Sequence, residues 1–382
     1  MIRDRELLDD LLATVNRYVR ERLIPAEGYV SDHDEIPAEI VAEMRKIGLF
    51  GLTIPEEYGG LGLTSEEEVL VAFELGRAAP AFRSLIGTNN GIGSLCLILH
   101  GTEAQKRKYL PAMASGSLIA SFALTEPEAG SDAASLRCLA RAENGGYVLN
   151  GTKRFITNAP EAGLFTILAR TNAQSKGAES ISAFLVEANA PGLHVGKADR
   201  KMGQRGAHTA DVALDNCWVS AHALLGEPGQ GFELAMKTLD RGRLHISAVC
   251  TGLADRLLEI STEYAQDRKQ FGRPIADFQL IQAMLADSRM ESYAARCMVL
   301  ETARMRDDKN DISSQASCCK LFASEMVCRV ADRAVQIHGG SGYMADFAVE
   351  RLYRDARLFR LYEGTSQIQQ LVIARHLLNR KR

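Results

Sequence analysis

The chain has 382 residues, 46% of them hydrophobic, with 45 Lys and Arg against 48 Asp and Glu and a formal charge of -3. A chain of this length and composition buries a large core divided among two or three domains, which excludes disorder. With no basic run before the terminal Asn379-Arg380-Lys381-Arg382 and no apolar run of membrane-spanning length, neither nucleic acid nor a bilayer is an expected partner.

In chain order, residues 1–117 read as helical. The first segment, "RDRELLDDLLATVNRYVRERL", sets acidic residues among leucines at helical spacing, so it is an amphipathic helix and neither a signal nor a transit peptide. The turn "IPEEYGGLGLTSEE" offers Thr64 or Ser65 as the cap of a further helix. From 118 to 227 the pattern shortens to strand-like runs, "LIASFAL", "YVLNGTKRFITN", "LFTILAR" and "ISAFLVEA", parted by "NGG", "NAQSKG" and "NAPG". This turn density predicts a compact antiparallel sheet or barrel. "GYVLNGTK" is a near miss to a phosphate loop, because Thr152 precedes Lys153, and it reads as a strand with an Asn-Gly turn. From 228 to 382 long helical segments, broken at Phe271-Gly272-Arg273-Pro274, Asp307-Asp308 and Gly339-Gly340, imply a bundle. The class is α+β multidomain: an all-α N-terminal domain, a β middle domain and a C-terminal helical bundle.

Eight cysteines without a CxxC pair form no disulfide framework, and eight histidines without ligand spacing give no metal site. A reducing compartment is expected, the cytoplasm. No GxGxxG follows a strand, so a dinucleotide-binding α/β domain is not expected. The remaining polar segments lie at the ends of regular elements: "FALTEPEAGSD" and "KRFITNAP" after strands, "TLDRGR" early in a helix, "DRKQFGRPIADFQ" where a helix stops and restarts, and "QIHGGSGY" at a helix end. In "LYEGTSQIQQLVIARHLL", Ser366 with Gln369 has capping-box spacing. Ile368, Leu371, Val372 and Leu378 then make one apolar face, and Glu363 is left ahead of the cap.

Together and in this order, with "YLPAMASG", "KMGQRGAHTADV" and "YRDARLFRLYEGTSQIQQL", these segments resemble the acyl-CoA dehydrogenase flavoenzymes across nearly the full length. The resemblance implies an α domain, a β domain and a four-helix bundle enclosing FAD and an acyl-CoA, in a homotetramer built as a dimer of dimers. It implies α,β-dehydrogenation of the thioester to the trans-2-enoyl-CoA, with electrons passed to an electron-transfer flavoprotein. Glu363 is the implied base for the α-proton, opposite flavin N5, which takes the β-hydride. The backbone N–H of Glu363 and a ribityl hydroxyl are the implied oxyanion donors, and Gly364 admits the substrate. Relatives that carry the base elsewhere place it at the position of Gly242, which has no side chain to offer.

By similarity, Phe122, Leu124, Thr125, Ser131, Phe155 and Thr157 line the flavin, with phenylalanine at Phe155 where the family more often has tryptophan. Arg268, Phe271, Phe278, Gln279, Gln336, Gly339 and Gly340 hold the adenine and pyrophosphate half across a subunit boundary, and Thr365, Ser366 and Gln367 add contacts. Asp240, Arg243, Gly364, Arg375 and Ser131 face the CoA thioester. The acyl pocket is expected around "GTNNGIGSLC", left open by Gly87, Gly91 and Gly93, for a short- to medium-chain or branched acyl group. Arg360 is expected to pair with a neighbouring acid. Other chemistries on this scaffold are an oxidase and a desulfinase, and a third reading is a non-catalytic acyl-CoA-binding protein; the presence of Glu363 favours desaturation.

Overall fold

The computed structural model describes residues 1–172, 174–175 and 177–378; the basic run at 379–382 and two positions of the "NAQSKG" break lie outside the described residues. Helix α1 (Arg5–Tyr18) begins at Asp4, whose side chain accepts the Leu7 N–H, and its apolar stripe buries Leu8, Val15 and Tyr18. It continues through a π-turn into α2 (Ile24–His33), followed by α3 (Ala38–Ile47) and α4 (Ser65–Leu75). Of the two candidate caps for α4, Thr64 is the one used, in a reciprocal capping box with Glu67. Helices α5 (Pro80–Asn90), α6 (Leu95–His100) and α7 (Glu103–Ala114) complete this layer.

Strands β1 (Ala120–Ala123), β2 (Leu139–Glu143), β3 (Gly146–Thr157), β4 (Leu164–Arg170), β5 (Ile181–Glu187), β6 (Leu193–Val195), β7 (Thr209–Ser220) and β8 (Leu224–Leu225) form one sheet. Its order is β6-β7-β3-β2-β4-β5-β8, with β1 against β4. The sheet is mixed where an antiparallel one was expected, since β1 and β2 both run parallel to β4. β4 is buried on both faces, as its unbroken apolar run requires. The Asn150-Gly151 pair is not a turn. β3 passes straight through it, with a register slip between Leu149 and Gly151. Gly151, at φ 150°, lies where a Cβ would come 2.8 Å from Cys138 Cα. The β2–β3 reversal falls instead at Asn144-Gly145, both left-handed.

The C-terminal part consists of α8 (Gly231–Asp267), a hairpin of β9 (Lys269–Gln270) and β10 (Arg273–Pro274), then α9 (Gln279–Asp307), α10 (Ser313–His338), α11 (Ala348–Ala356) and α12 (Ser366–Leu377). α8, α9, α10 and α12 form the four-helix bundle, and α11 packs on α10. The bundle core is continuous with α4 through Val69, Ala72 and Phe73. Buried Glu27 of α2 pairs with Arg256 of α8 and, at 3.3 Å, with Arg351 of α11, so helices distant in sequence are fixed together.

The last helix departs from expectation in two respects. Its cap is Thr365, whose hydroxyl accepts the Ile368 N–H at 3.3 Å, while Ser366 is inside the helix and donates to Glu325 Oε1 at 2.6 Å. Its buried residues are Ser366 and Gln369, whereas Leu371 and Leu378 of the expected apolar face are 59% and 60% exposed.

Candidate active site

Glu363 sits between the short helical turn over Arg357–Arg360 and α12, in the left-handed region at φ 53°. A non-glycine residue held there is strained by about 1–3 kcal/mol and persists only when its surroundings fix it. Three side chains do so. Gln369 Nε2 donates to the Glu363 carbonyl at 3.1 Å and to the Gly364 carbonyl at 3.0 Å. Arg243 Nε reaches the Glu363 carbonyl at 3.4 Å. The fully buried Lys320 of α10 donates to the Gly364 carbonyl at 2.6 Å. The backbone of the loop is therefore held from α8, α10 and α12, and the carboxylate is left free.

That carboxylate points at α8 where Gly242 has no side chain; a Cβ there would overlap Glu363 Oε2. Oε2 is enclosed and has no hydrogen-bond partner among the described residues. Burial pushes the Glu363 pKa above the usual carboxylate range, against the opposing charges of Arg83, Lys320 and Arg243, in that order. Lys320 is itself lowered to about 8, burial being the main cause. A desolvated, unpartnered carboxylate is a stronger base than one in water and is suited to removing a carbon-bound proton.

On the same stretch of α8, Arg243 pairs with Asp240 at 2.7 Å. Burial raises the Asp240 pKa and the Arg243 charge opposes that rise. Gly364, at φ 89°, comes within 3.7 Å of Arg243 Nη2 by the position its Cβ would take. Asp240, Arg243, Glu363, Gly364 and Thr365 are thus brought together. Arg375 is not joined to them; it is exposed on the last turn of α12, without a hydrogen bond among the described residues. Arg360 pairs with Glu325 at 2.8 Å, as expected.

The flavin-side residues gather at the ends of β1 and β3. Arg154 N donates to the Thr125 carbonyl at 2.8 Å, and Ser121 Oγ to the Thr157 carbonyl at 2.7 Å, which aligns Phe122, Leu124 and Thr125 with Phe155 and Thr157. Behind them Glu126 accepts from Lys153 Nζ at 2.8 Å and from the Arg137 and Cys138 N–H groups, fixing the turn that carries exposed Ser131. Phe155, at φ 58°, is 62% exposed.

The second set lies at the far ends of α8 and α10. Phe271 packs edge-on against Phe278 at 5.9 Å, and buried Ile275 and Ile337 join the hairpin to the end of α10. Arg268, Phe271 and Gln279 are exposed there, as are Gln336, Gly339 and Gly340, and a Cβ on either glycine would meet nothing within 4 Å. These elements share no hydrogen bond with β1 or β3 among the described residues. The two sets fit FAD: an uncovered aromatic beside a strand end suits a flat ring, and an arginine with open glycine backbone suits a pyrophosphate.

Sequence reasoning missed Arg83 and Lys320, and took Gln369 for a capping-box partner when it holds the Glu363 and Gly364 carbonyls. Arg83 had one signal, a lone cation in the small and apolar run "APAFRSLIG". The expected glycine-lined opening is also corrected. Gly93 packs on the Thr88 carbonyl and Ala120, Gly91 on the Gly87 carbonyl, and the space beside Gly87 holds the Arg83 guanidinium.

A desolvated base held between α8, α10 and α12, in a chain that elsewhere offers residues suited to FAD, is the equipment of a flavin-dependent oxidoreductase. The chain belongs to the acyl-CoA dehydrogenase family: the family's N-terminal, middle and C-terminal domain models match residues 6–117, 121–217 and 229–378. It is 42% identical over 364 residues to an acyl-CoA dehydrogenase of Bacillus subtilis, covering 95% of this chain and 96% of that one. It is 39% identical over 382 residues to the acryloyl-CoA reductase (NADH) of Anaerotignum propionicum, covering 100% and 96%. Among solved structures, butyryl-CoA dehydrogenase of Megasphaera elsdenii superposes with a TM-score of 0.95 at 33% identity, covering 99% and 100%. The protein is an FAD-dependent oxidoreductase of the CH–CH class acting on an acyl-CoA-type substrate.

Proposed function

We propose that the enzyme converts an acyl-CoA to its trans-2-enoyl-CoA, with Glu363 as the catalytic base. The observation that carries this reading is the enclosed, unpartnered Oε2 of Glu363 against Gly242. Bound FAD supplies the hydride acceptor. Glu363 takes the α-proton as the β-hydride departs, so two electrons and two hydrogens leave the substrate. The Glu363 N–H faces the thioester oxygen and stabilises the charge that develops there. Gln369, Lys320 and Arg243 hold that backbone, and expulsion of water by the acyl chain makes the carboxylate more basic still.

In this reading Phe122, Leu124, Thr125, Ser131, Phe155 and Thr157 hold the ring portion of FAD. Arg268, Phe271, Phe278, Gln279, Gln336, Gly339, Gly340 and Thr365 to Gln367 hold the remainder in a homotetramer. Asp240, Arg243, Gly364 and Arg375 serve the CoA thioester. The domains divide at 1–117, 118–227 and 228–382, and an electron-transfer flavoprotein accepts the electrons. Eight free cysteines suit a reducing compartment, the cytoplasm; no helix among the described residues is long and apolar enough to cross a membrane.

Anaerobic titration of the purified flavoprotein with acyl-CoAs of varied length and branching tests the reading. Bleaching of the flavin by one of them, lost in Glu363→Gln, is the expected result. Protein without FAD, or a Glu363→Gln variant that bleaches as fast as wild type, would refute it.

A further inference from the structure

Arg83 has no evident structural employment. It lies on α5 and is only 9% exposed, with its side chain folded over Gly87, where a Cβ would come 2.9 Å from Cζ. Its Nε is enclosed and without a hydrogen-bond partner. No carboxylate oxygen lies within ion-pair distance of it among the described residues, and the nearby acids other than Glu363 are already engaged. Glu68 holds Arg241 at 2.9 Å and His245 Nδ1 at 3.0 Å, and Asp240 holds Arg243 at 2.7 Å.

The guanidinium lies near the reacting centre. It is the foremost charge acting on Glu363 and Tyr362, and on His245 after burial itself. Two further polar atoms of that neighbourhood, Glu363 Oε2 and His245 Nε2, are also enclosed and unpartnered. Lys320 and Arg243 also act on Glu363, and of these three cations only Arg243 has a carboxylate partner among the described residues. A buried cation left unpaired is strongly unfavourable, whereas a guanidinium fork bound bidentately to a carboxylate is among the strongest polar contacts in proteins.

We propose that Arg83 receives the terminal carboxylate of the acyl chain, making the substrate an ω-carboxyacyl-CoA, a thioester of a dicarboxylic acid. This rests on the dehydrogenase reading above and names its substrate class. The CoA phosphates are not the intended anion, because they are carried on a nucleotide too bulky for a guanidinium nine-tenths enclosed beside the base. A carboxylate bound there also has a chemical consequence. Arg83 opposes the rise in Glu363 basicity, and pairing the cation with substrate removes that opposition only when the correct chain is bound. An uncharged chain fills the same space, leaves Arg83 unpaired and leaves Glu363 the weaker base.

The test compares wild-type holoenzyme with Arg83→Met and Arg83→Lys on length-matched pairs: pentanoyl-CoA against glutaryl-CoA, hexanoyl-CoA against adipoyl-CoA, and heptanoyl-CoA against pimeloyl-CoA. Anaerobic bleaching gives kcat/KM, and calorimetric titration with the non-reactive 3-thia analogues gives Kd. In wild type the dicarboxylic member of at least one pair is favoured by about 100-fold or more in kcat/KM, the scale of rejection when a buried polar group loses its partner. Arg83→Met reverses that ratio and Arg83→Lys restores part of it. Wild type that favours the uncharged member at every length overturns the proposal, as does Arg83→Met lowering both members in equal proportion. If no thioester bleaches the flavin, the dehydrogenase reading fails and calorimetry still decides the role of Arg83. Tighter binding of the dicarboxylic analogue that disappears in Arg83→Met upholds it, and equal binding rejects it.

Discussion

Glu363 and Gly242 share one small volume, and each accounts for the other. The carboxylate lies where a Cβ on α8 would be, so Gly242→Ala forces it aside. A displacement on the order of 1 Å is enough to lower kcat by about 100-fold. That is the expected result in stopped-flow reduction of the flavin, with FAD still bound. Glu363→Gln keeps the size and removes the base, so flavin reduction by the preferred acyl-CoA falls by at least about 100-fold. The same substitution has an opposite effect on stability. Burial raises the Glu363 pKa above the unfolded value of 4.5, so the folded state holds the proton more tightly. Its stabilising contribution is complete below the unfolded pKa and is lost as pH rises through the folded one. Above that folded pKa, the Glu363→Gln holoenzyme is expected to melt higher than wild type, with the gap closing as pH falls toward 4.5. A wild type more stable than the variant at pH 8 would show that the charges of Arg83, Lys320 and Arg243 outweigh burial.

Strand ends and helix starts decide where those side chains point, and the links between elements were the least legible part of the sequence. Lys153 drew notice only as part of a failed phosphate loop. It is instead wholly buried, bonded to Glu126 Oε1 at 2.8 Å and to the Leu124 carbonyl at 3.1 Å, and it fastens β3 to the end of β1. The partners are 27 residues apart, a separation no periodicity reports. Lys153→Met leaves the Glu126 carboxylate buried with only two backbone donors, and removing one partner of a buried pair costs about 3–5 kcal/mol. Denaturant unfolding of the variant is expected to show a loss of that order, together with weakened FAD retention. Local signals fared better where one residue decides the outcome. The Thr64–Glu67 capping box and the left-handed Phe271-Gly272 turn between β9 and β10 are chemistry within four residues, although α8 itself already ends at Asp267. Ser366 and Thr365 were confused because both can accept a backbone N–H; Glu325, 41 residues away, claims the Ser366 hydroxyl. Glu363 was legible through its resemblance to a known motif. Arg83 was not, because its meaning depends on which acids across the fold already have partners.

At the scale of the whole molecule, the chain exposes several large apolar side chains. Phe271 is 92% exposed, Tyr343 82%, Leu280 81% and Leu377 78%, and α12 shows water the face its periodicity marks for burial. Those at the hairpin, the start of α9 and just beyond α10 suit the subunit interface proposed above. They surround Arg268, Gln336 and Gly339, the residues proposed to hold the outer half of FAD. If a neighbouring subunit's cofactor lies there, assembly and cofactor retention are one property and fail together. Leu280→Asp tests this, since residue 280 is exposed on the first turn of α9, outside the proposed FAD contacts and remote in sequence from Glu363. Sedimentation of the variant is expected to give species smaller than a tetramer, and its flavin-to-protein ratio is expected to fall in parallel, with helical content unchanged. A variant that dissociates yet keeps a full complement of FAD would assign the whole cofactor to one chain, and the hairpin would then be an assembly surface alone.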